Sequence, residues 1–141
     1  MVGGGCRGLA LARSLVAEGH AVRAVTRHES RRAELEAAGC ECWIGDPDRI
    51  GTLRYALENA TVLLWLLATV DVPELHGSRL EMMLERTIDT MVRGVIYERG
   101  DAAPESGAEL VERMAGYNEI PYRIVSVGDE LRPAIDSLLS R

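Results

Sequence analysis

Short β-branched runs alternate with longer amphipathic stretches along the whole chain, and this alternation limits the fold more than any other feature. The segment "GLALARSLVAEGH" (8–20) puts Leu9, Ala12, Leu15 and Val16 on one helical face and stops at Gly19, a favoured C-cap residue. "AVRAVT" (21–26) alternates like a strand, "RRAELEAAG" (31–39) is helical, and "CECWIG" (40–45) is a short strand. "DRIGTLRYALENA" (48–60) carries Ile50, Leu53 and Leu57 on one stripe and predicts a helix. "TVLLWLLA" (61–68) is apolar throughout, as a strand covered on both faces should be. A helix over 74–91, a strand over 92–98, a helix over 104–117, a strand over 122–127 and a closing helix over 129–141 complete the series. Pro133 suits that last helix only in its first turn. Strands alternating with helices predict an α/β fold built on a single doubly wound parallel sheet of the Rossmann type. Residues 1–141 are expected to form one domain, with Val22, Val25, Ile44, Val62, Leu64, Leu66, Val95, Ile124 and Val125 buried in it.

Three glycines, Gly3, Gly5 and Gly8, open the series with the spacing G-x-G-x-x-G and lead directly into the first helix. In a strand–turn–helix unit the first glycine permits the tight turn and the second lets a pyrophosphate approach the backbone. The third lets the helix pack closely, and the helix N-terminus supplies N–H donors and partial positive charge. Dinucleotide binding is the expectation, with Cys6 and Arg7 inside the turn. Cys6 reads as a small residue tucked under the pyrophosphate, with a redox thiol at a helix N-terminus as the rival. Only Met1 and Val2 precede the turn, so the central first strand is nearly absent from the chain. The expectation is that Met1 is a misplaced start and that the natural protein begins some residues earlier.

Dinucleotide folds that bind NAD place an acid at the end of the second strand, about 20 residues past the turn. Here Arg27 stands there, 19 positions past Gly8, inside "TRHESRR". An arginine holds a 2′-phosphate where an acid would repel it, so NADP is favoured over NAD. Arg31 and Arg32 follow, either as further phosphate contacts or as a solvated helix face.

All 16 basic residues are arginine. The lack of lysine excludes a P-loop lysine, a Schiff-base lysine and any Tyr-x-x-x-Lys pair, because arginine does not give up its proton at a working pH. A net charge of −6 argues against nucleic-acid partners. The longest apolar stretch, 62–70, is too short to span a bilayer, which argues against a membrane partner. Three cysteines without framework spacing, and no secretory leader pattern, point to the cytoplasm.

The stretches "GGGCRGLALARSLVAEGHAVRAVTR" and "GDPDRIGTLRYALENATVLLWLLA" resemble an atypical short-chain dehydrogenase/reductase domain, of the NmrA-like or NAD(P)H-binding kind. The likeness covers most of the chain, and its motifs are specific over 3–69. It implies that Asp46 lies near the adenine and that Leu67, Ala68 and Thr69 line the cofactor. The rival for "GDPDR" is a turn at Pro47, with Asp48 capping the next helix. The chain departs from the family where catalytic members carry Tyr-x-x-x-Lys. Tyr97 ends the fifth strand, near where a catalytic serine often sits, and reads first as a packing residue. No catalytic residue is assigned.

Cys40 and Cys42 share a strand face and read as half-buried structural thiols; no metal site is expected, since Cys6, His20, His28 and His76 supply no second ligand pair. Methionines at helical spacing in 74–91, with Leu80, Met83, Leu84, Thr87 and Ile88 on one stripe, mark a core or homodimer face. The functions in view are an NADP(H)-binding sensor or non-standard reductase, an NAD(P)H-dependent oxidoreductase acting on a small carbonyl, quinone or flavin, and a ligand-free interaction domain that keeps a relic turn.

Overall fold

The computed structural model describes residues 1–99 and 106–140. Its strands are β1 (Val2–Gly3), β2 (Arg23–Thr26), β3 (Glu41–Ile44), β4 (Val62–Leu66), β5 (Gly94–Glu98) and β6 (Tyr122–Val125). Its α-helices are α1 (Gly5–Ala17), α2 (Arg32–Ala37), α3 (Ser78–Ile88), α4 (Ser106–Tyr117) and α5 (Arg132–Leu139). The strands form one parallel sheet in the order β3-β2-β1-β4-β5-β6, the doubly wound order expected of a Rossmann-type fold.

β1 is short but in place. Val2 lies opposite Val25 on one side and Trp65 on the other. Met1 joins the same ladder, donating its amino group to the Arg23 carbonyl (2.7 Å) and accepting the Val25 N–H (2.9 Å). The order in which successive strands are added reverses at β1, so helices fall on both faces of the parallel sheet. Leu9, Ala12 and Leu15 of α1 pack with Leu35 of α2 and Ile135 and Leu138 of α5 on one face. Leu80, Met83 and Leu84 of α3 and Val111 of α4 pack with Ile50 and Leu53 on the other. The first two helices end alike, at Gly19 and Gly39, with the His20 and Cys40 N–H groups bonded to the Leu15 and Leu35 carbonyls (3.0 Å each).

Three expectations need correction. The stretch 48–60 is not an α-helix. A 3₁₀ turn over Ile50–Leu53 runs into further turns whose N–H groups bond three residues back, as Ala56 does to Leu53 (3.0 Å). The Thr52 hydroxyl donates to the Arg49 carbonyl (2.7 Å) and accepts the Asp46 N–H (2.7 Å), so it competes with helical bonding at the start. Ile50, Leu53 and Ala56, spaced by three, then all face the core. Asp48 caps nothing there and instead pairs with Arg79 (3.3 Å).

The helix expected over 74–91 is broken at Gly77, whose φ of −136° and ψ of −110° lie outside the helical region. A 3₁₀ turn over Pro73–His76 precedes the break. The Trp65 indole N–H takes the Leu75 carbonyl (2.9 Å), which a continuous helix would have used itself. Ile44, expected in the core, is 40% exposed because β3 is an edge strand. Val22, Leu64, Leu66, Val95 and Val125 are buried, and Val25, Val62 and Ile124 are partly so. Pro133 does sit in the first turn of α5. The Pro104-Glu105 start expected for the fourth helix lies outside the described residues.

Candidate functional site

The C-terminal edge of the sheet at the β1/β4 switch carries the glycine turn. Gly3, Gly4 and Gly5 all have positive φ (80°, 99° and 53°), a run that L side chains tolerate poorly. Their surroundings differ. A Cβ on Gly3 would overlap the Leu66 carbonyl and come 2.6 Å from Leu67 Cδ2. On Gly4 it would stand 2.8 Å from Gly8 Cα, and on Gly8 it would stand 3.1 Å from the Gly3 carbonyl. Only Gly5 faces open space, with nothing within 4 Å of its Cβ position. Gly3, Gly4 and Gly8 therefore close the turn onto itself and onto β4, while Gly5 leaves one side of the backbone open.

The helix behind the turn suits an anion. It is 13 residues long, carries no acid in its first turn and has no side-chain cap. The Gly8 N–H returns to the Gly4 carbonyl (2.8 Å), which leaves the N–H groups of the residues before it as the free donors of the helix start. Cys6 is exposed in this turn. Arg7 turns toward the sheet and pairs with Glu98 at the end of β5. The glutamate is 1% exposed and the arginine side chain 36%. Arg7 Nη1 is buried and makes no hydrogen bond among the described residues.

The second-strand end divides its arginines. Arg27 is exposed, just past β2, and forms no ion pair among the described residues. Arg31 pairs with Glu34 (3.4 Å), and Arg32 with Glu29 (2.5 Å) and Glu36 (3.4 Å), all on the same helical turns. Arg31 and Arg32 are thus held by local acids, and Arg27 is left as the cation of this corner. Asp46 uses one carboxylate oxygen to accept the Asp48 N–H (2.9 Å), the bond of a turn. Leu67 and Ala68, just beyond β4, are buried, and Thr69 is exposed.

Under this edge lies a polar pair that sequence reasoning did not assemble. His76 Nδ1 and the Tyr97 hydroxyl are 2.6 Å apart, and the two side chains are 1% and 0% exposed. Burial lowers the His76 pKa, and the Leu67 backbone only partly offsets this. Both rings are buried. Glu98 was also missed, although its signal was available: an acid closing a fully apolar strand needs a buried cationic partner. Cys40 is buried and Cys42 half-buried, both against the α1/α2 face, as structural thiols would be. Among the described residues no three His, Cys, Asp or Glu side chains are grouped to hold a metal ion.

This fold and this turn define a dinucleotide-binding domain of the Rossmann type. Residues 3–97 match the family described as NAD(P)H-binding, and the chain belongs to that family. No curated protein matches it. Among solved structures, gox2253 is similar with a TM-score of 0.68 at 21% identity, covering 89% of this chain and 49% of its own. The Citrobacter sp. triphenylmethane reductase, complexed with NADP(H), is similar with a TM-score of 0.67 at 17% identity, covering 96% and 54%. ChuY, an anaerobillin reductase from Escherichia coli O157:H7, is similar with a TM-score of 0.56 at 18% identity, covering 82% and 57%. The chain spans about half the length of these proteins. No helix among the described residues is long and apolar enough to cross a membrane.

Proposed function

We propose that this chain binds NADP(H) at the glycine turn, with Arg27 as the reader of the 2′-phosphate. The observation that carries the reading is the contrast within one corner. Arg31 and Arg32 are engaged by glutamates, while Arg27 stands exposed and forms no ion pair among the described residues. Gly5 and the free N–H groups at the start of α1 would hold the pyrophosphate. Leu67, Ala68 and Thr69 would line the remainder, and Asp46 keeps one carboxylate oxygen for the adenine side. When bound, the nucleotide supplies or accepts a hydride. The chain positions it and offers no exposed Tyr–Lys pair to move a proton, since it has no lysine.

Between a nucleotide sensor and a reductase, the names of two structural neighbours favour the reductase. Hydride transfer needs cofactor and acceptor in register, and water can supply the proton. A homodimer through α3 belongs to the same proposal, because Met82 and Ile88 are each 37% exposed and Met91 72%. Sedimentation at high concentration should show two copies, and a monomer there would remove this part. The binding reading is tested with NADP and NAD on the protein and on Arg27→Ala. The substitution should weaken NADP by roughly ten- to a hundredfold, the worth of charge-assisted hydrogen bonds, and leave NAD nearly unchanged. Tighter binding of NAD than of NADP by the unmodified protein would refute the role of Arg27.

A further inference from the structure

The segment that leaves β4 is built from short turns. The Val70 N–H bonds to the Leu67 carbonyl (3.2 Å), the Val72 N–H to the Val70 carbonyl (2.9 Å) and the Leu75 N–H to the Val72 carbonyl (3.0 Å). Each bond spans two or three residues, so none of them ties the segment to a longer element. Leu67 nevertheless packs on the glycine turn, since a Cβ on Gly3 would come 2.6 Å from Leu67 Cδ2.

The far end of the segment is anchored in the core. Leu75 and His76 are both buried. The Trp65 indole N–H holds the Leu75 carbonyl (2.9 Å), and His76 Nδ1 lies 2.6 Å from the Tyr97 hydroxyl. The His76 ring also stands beside the Leu67 backbone, which favours its charged form against the effect of burial. Its Nε2 is buried and makes no hydrogen bond among the described residues.

Tyr97 is fixed from behind. A Cβ on Gly107, in the first turn of α4, would overlap the Tyr97 hydroxyl, so the hydroxyl fills the place of a side chain. A run of contacts thus leads from α4 through Tyr97 and His76 to Leu67 and Gly3. Packing alone leaves an imidazole a broad choice of orientation about its outer torsion. The hydrogen bond to Tyr97 removes that choice, and a buried hydroxyl is stabilised only when such a bond is made.

We propose that His76 and Tyr97 are positioning residues for the nucleotide site: their hydrogen bond sets the imidazole against Leu67 and so holds Leu67 on the first glycine of the turn. They act through Leu67. Their effect on affinity rests on the nucleotide reading, while the support they give the segment after β4 is measurable without any nucleotide.

The test uses the whole chain, Tyr97→Phe, His76→Asn and Ile135→Val, each well below its melting temperature. Tyr97→Phe keeps the ring and removes the bond. His76→Asn keeps a polar group where Nδ1 stands. Ile135→Val makes a modest core loss on the opposite face of the sheet and serves as the control for destabilisation alone. In the free protein, Tyr97→Phe should speed exchange of the Val70 amide at least about fivefold, and Ile135→Val should leave it unchanged. Tyr97→Phe should weaken NADP about tenfold, the worth of one buried hydrogen bond. His76→Asn should stay within about threefold of the unmodified protein, and Ile135→Val should match it. Unchanged Val70 exchange in Tyr97→Phe, or an equal change in Ile135→Val, would overturn the support. Faster Val70 exchange with unchanged NADP affinity would overturn its role in binding, as would a loss in His76→Asn as large as in Tyr97→Phe. Failure of the unmodified protein to bind NADP would refute the nucleotide reading and, with it, the role in binding, whereas the exchange comparison would still decide the support.

Discussion

Alanine at Gly3 and alanine at Gly5 should fail in opposite ways, although the two glycines are two positions apart in one turn. At Gly3 a methyl group meets a left-handed φ of 80° and overlaps the Leu66 carbonyl, which β4 holds in place. The conformational cost is about 1–2 kcal/mol, and forced packing against fixed backbone adds about 1–3 kcal/mol. A loss of about 3 kcal/mol lowers the melting temperature of a domain this size by roughly 10 °C. At Gly5 only the conformational cost applies, because nothing lies within 4 Å of the added atom. Its stability should fall by about 1 kcal/mol, or a few degrees. In the proposed site a pyrophosphate approaches through that open space, so Gly5→Ala should weaken nucleotide binding by about tenfold or more, worth about 1.4 kcal/mol. Thermal unfolding and a binding titration on both variants separate the two effects. Equal destabilisation by the two substitutions, or unchanged nucleotide affinity in Gly5→Ala, would refute the division of roles within the turn.

A further outcome follows from a buried charge. Glu98→Gln keeps the side-chain volume but leaves the Arg7 guanidinium without its counter-charge; because Arg7 is partly exposed, the expected loss is about 1–2 kcal/mol, read by urea denaturation.

The strand–helix alternation made the sheet and its order legible because the strands are short, β4 is apolar throughout, and β2 and β3 each follow a helix-ending glycine, Gly19 and Gly39. The glycine spacing placed the turn, and the end of the second strand could be read closely enough to set Arg27 just past it. Tertiary contacts hid the rest. The stretch 48–60 has a helical stripe, but Thr52 and a three-residue spacing of core contacts wind it more tightly. Trp65 breaks the helix before α3 by taking a carbonyl from a segment ten residues on. Arg7 and Glu98 are 91 positions apart, and no local pattern joins them. His76 and Tyr97, 21 positions apart, meet where the 3₁₀ turn over Pro73–His76 comes against β5.

The measurement that tests the central claim most directly is amide hydrogen exchange of the protein with and without NADP. Binding at the glycine turn predicts slowed exchange at Gly5, Cys6 and Arg7 and around Arg27, with the amides of Arg23 and Leu64 at the far end of the sheet unchanged. Protection confined to residues away from the glycine turn and Arg27, or no protection anywhere at millimolar NADP, would contradict it.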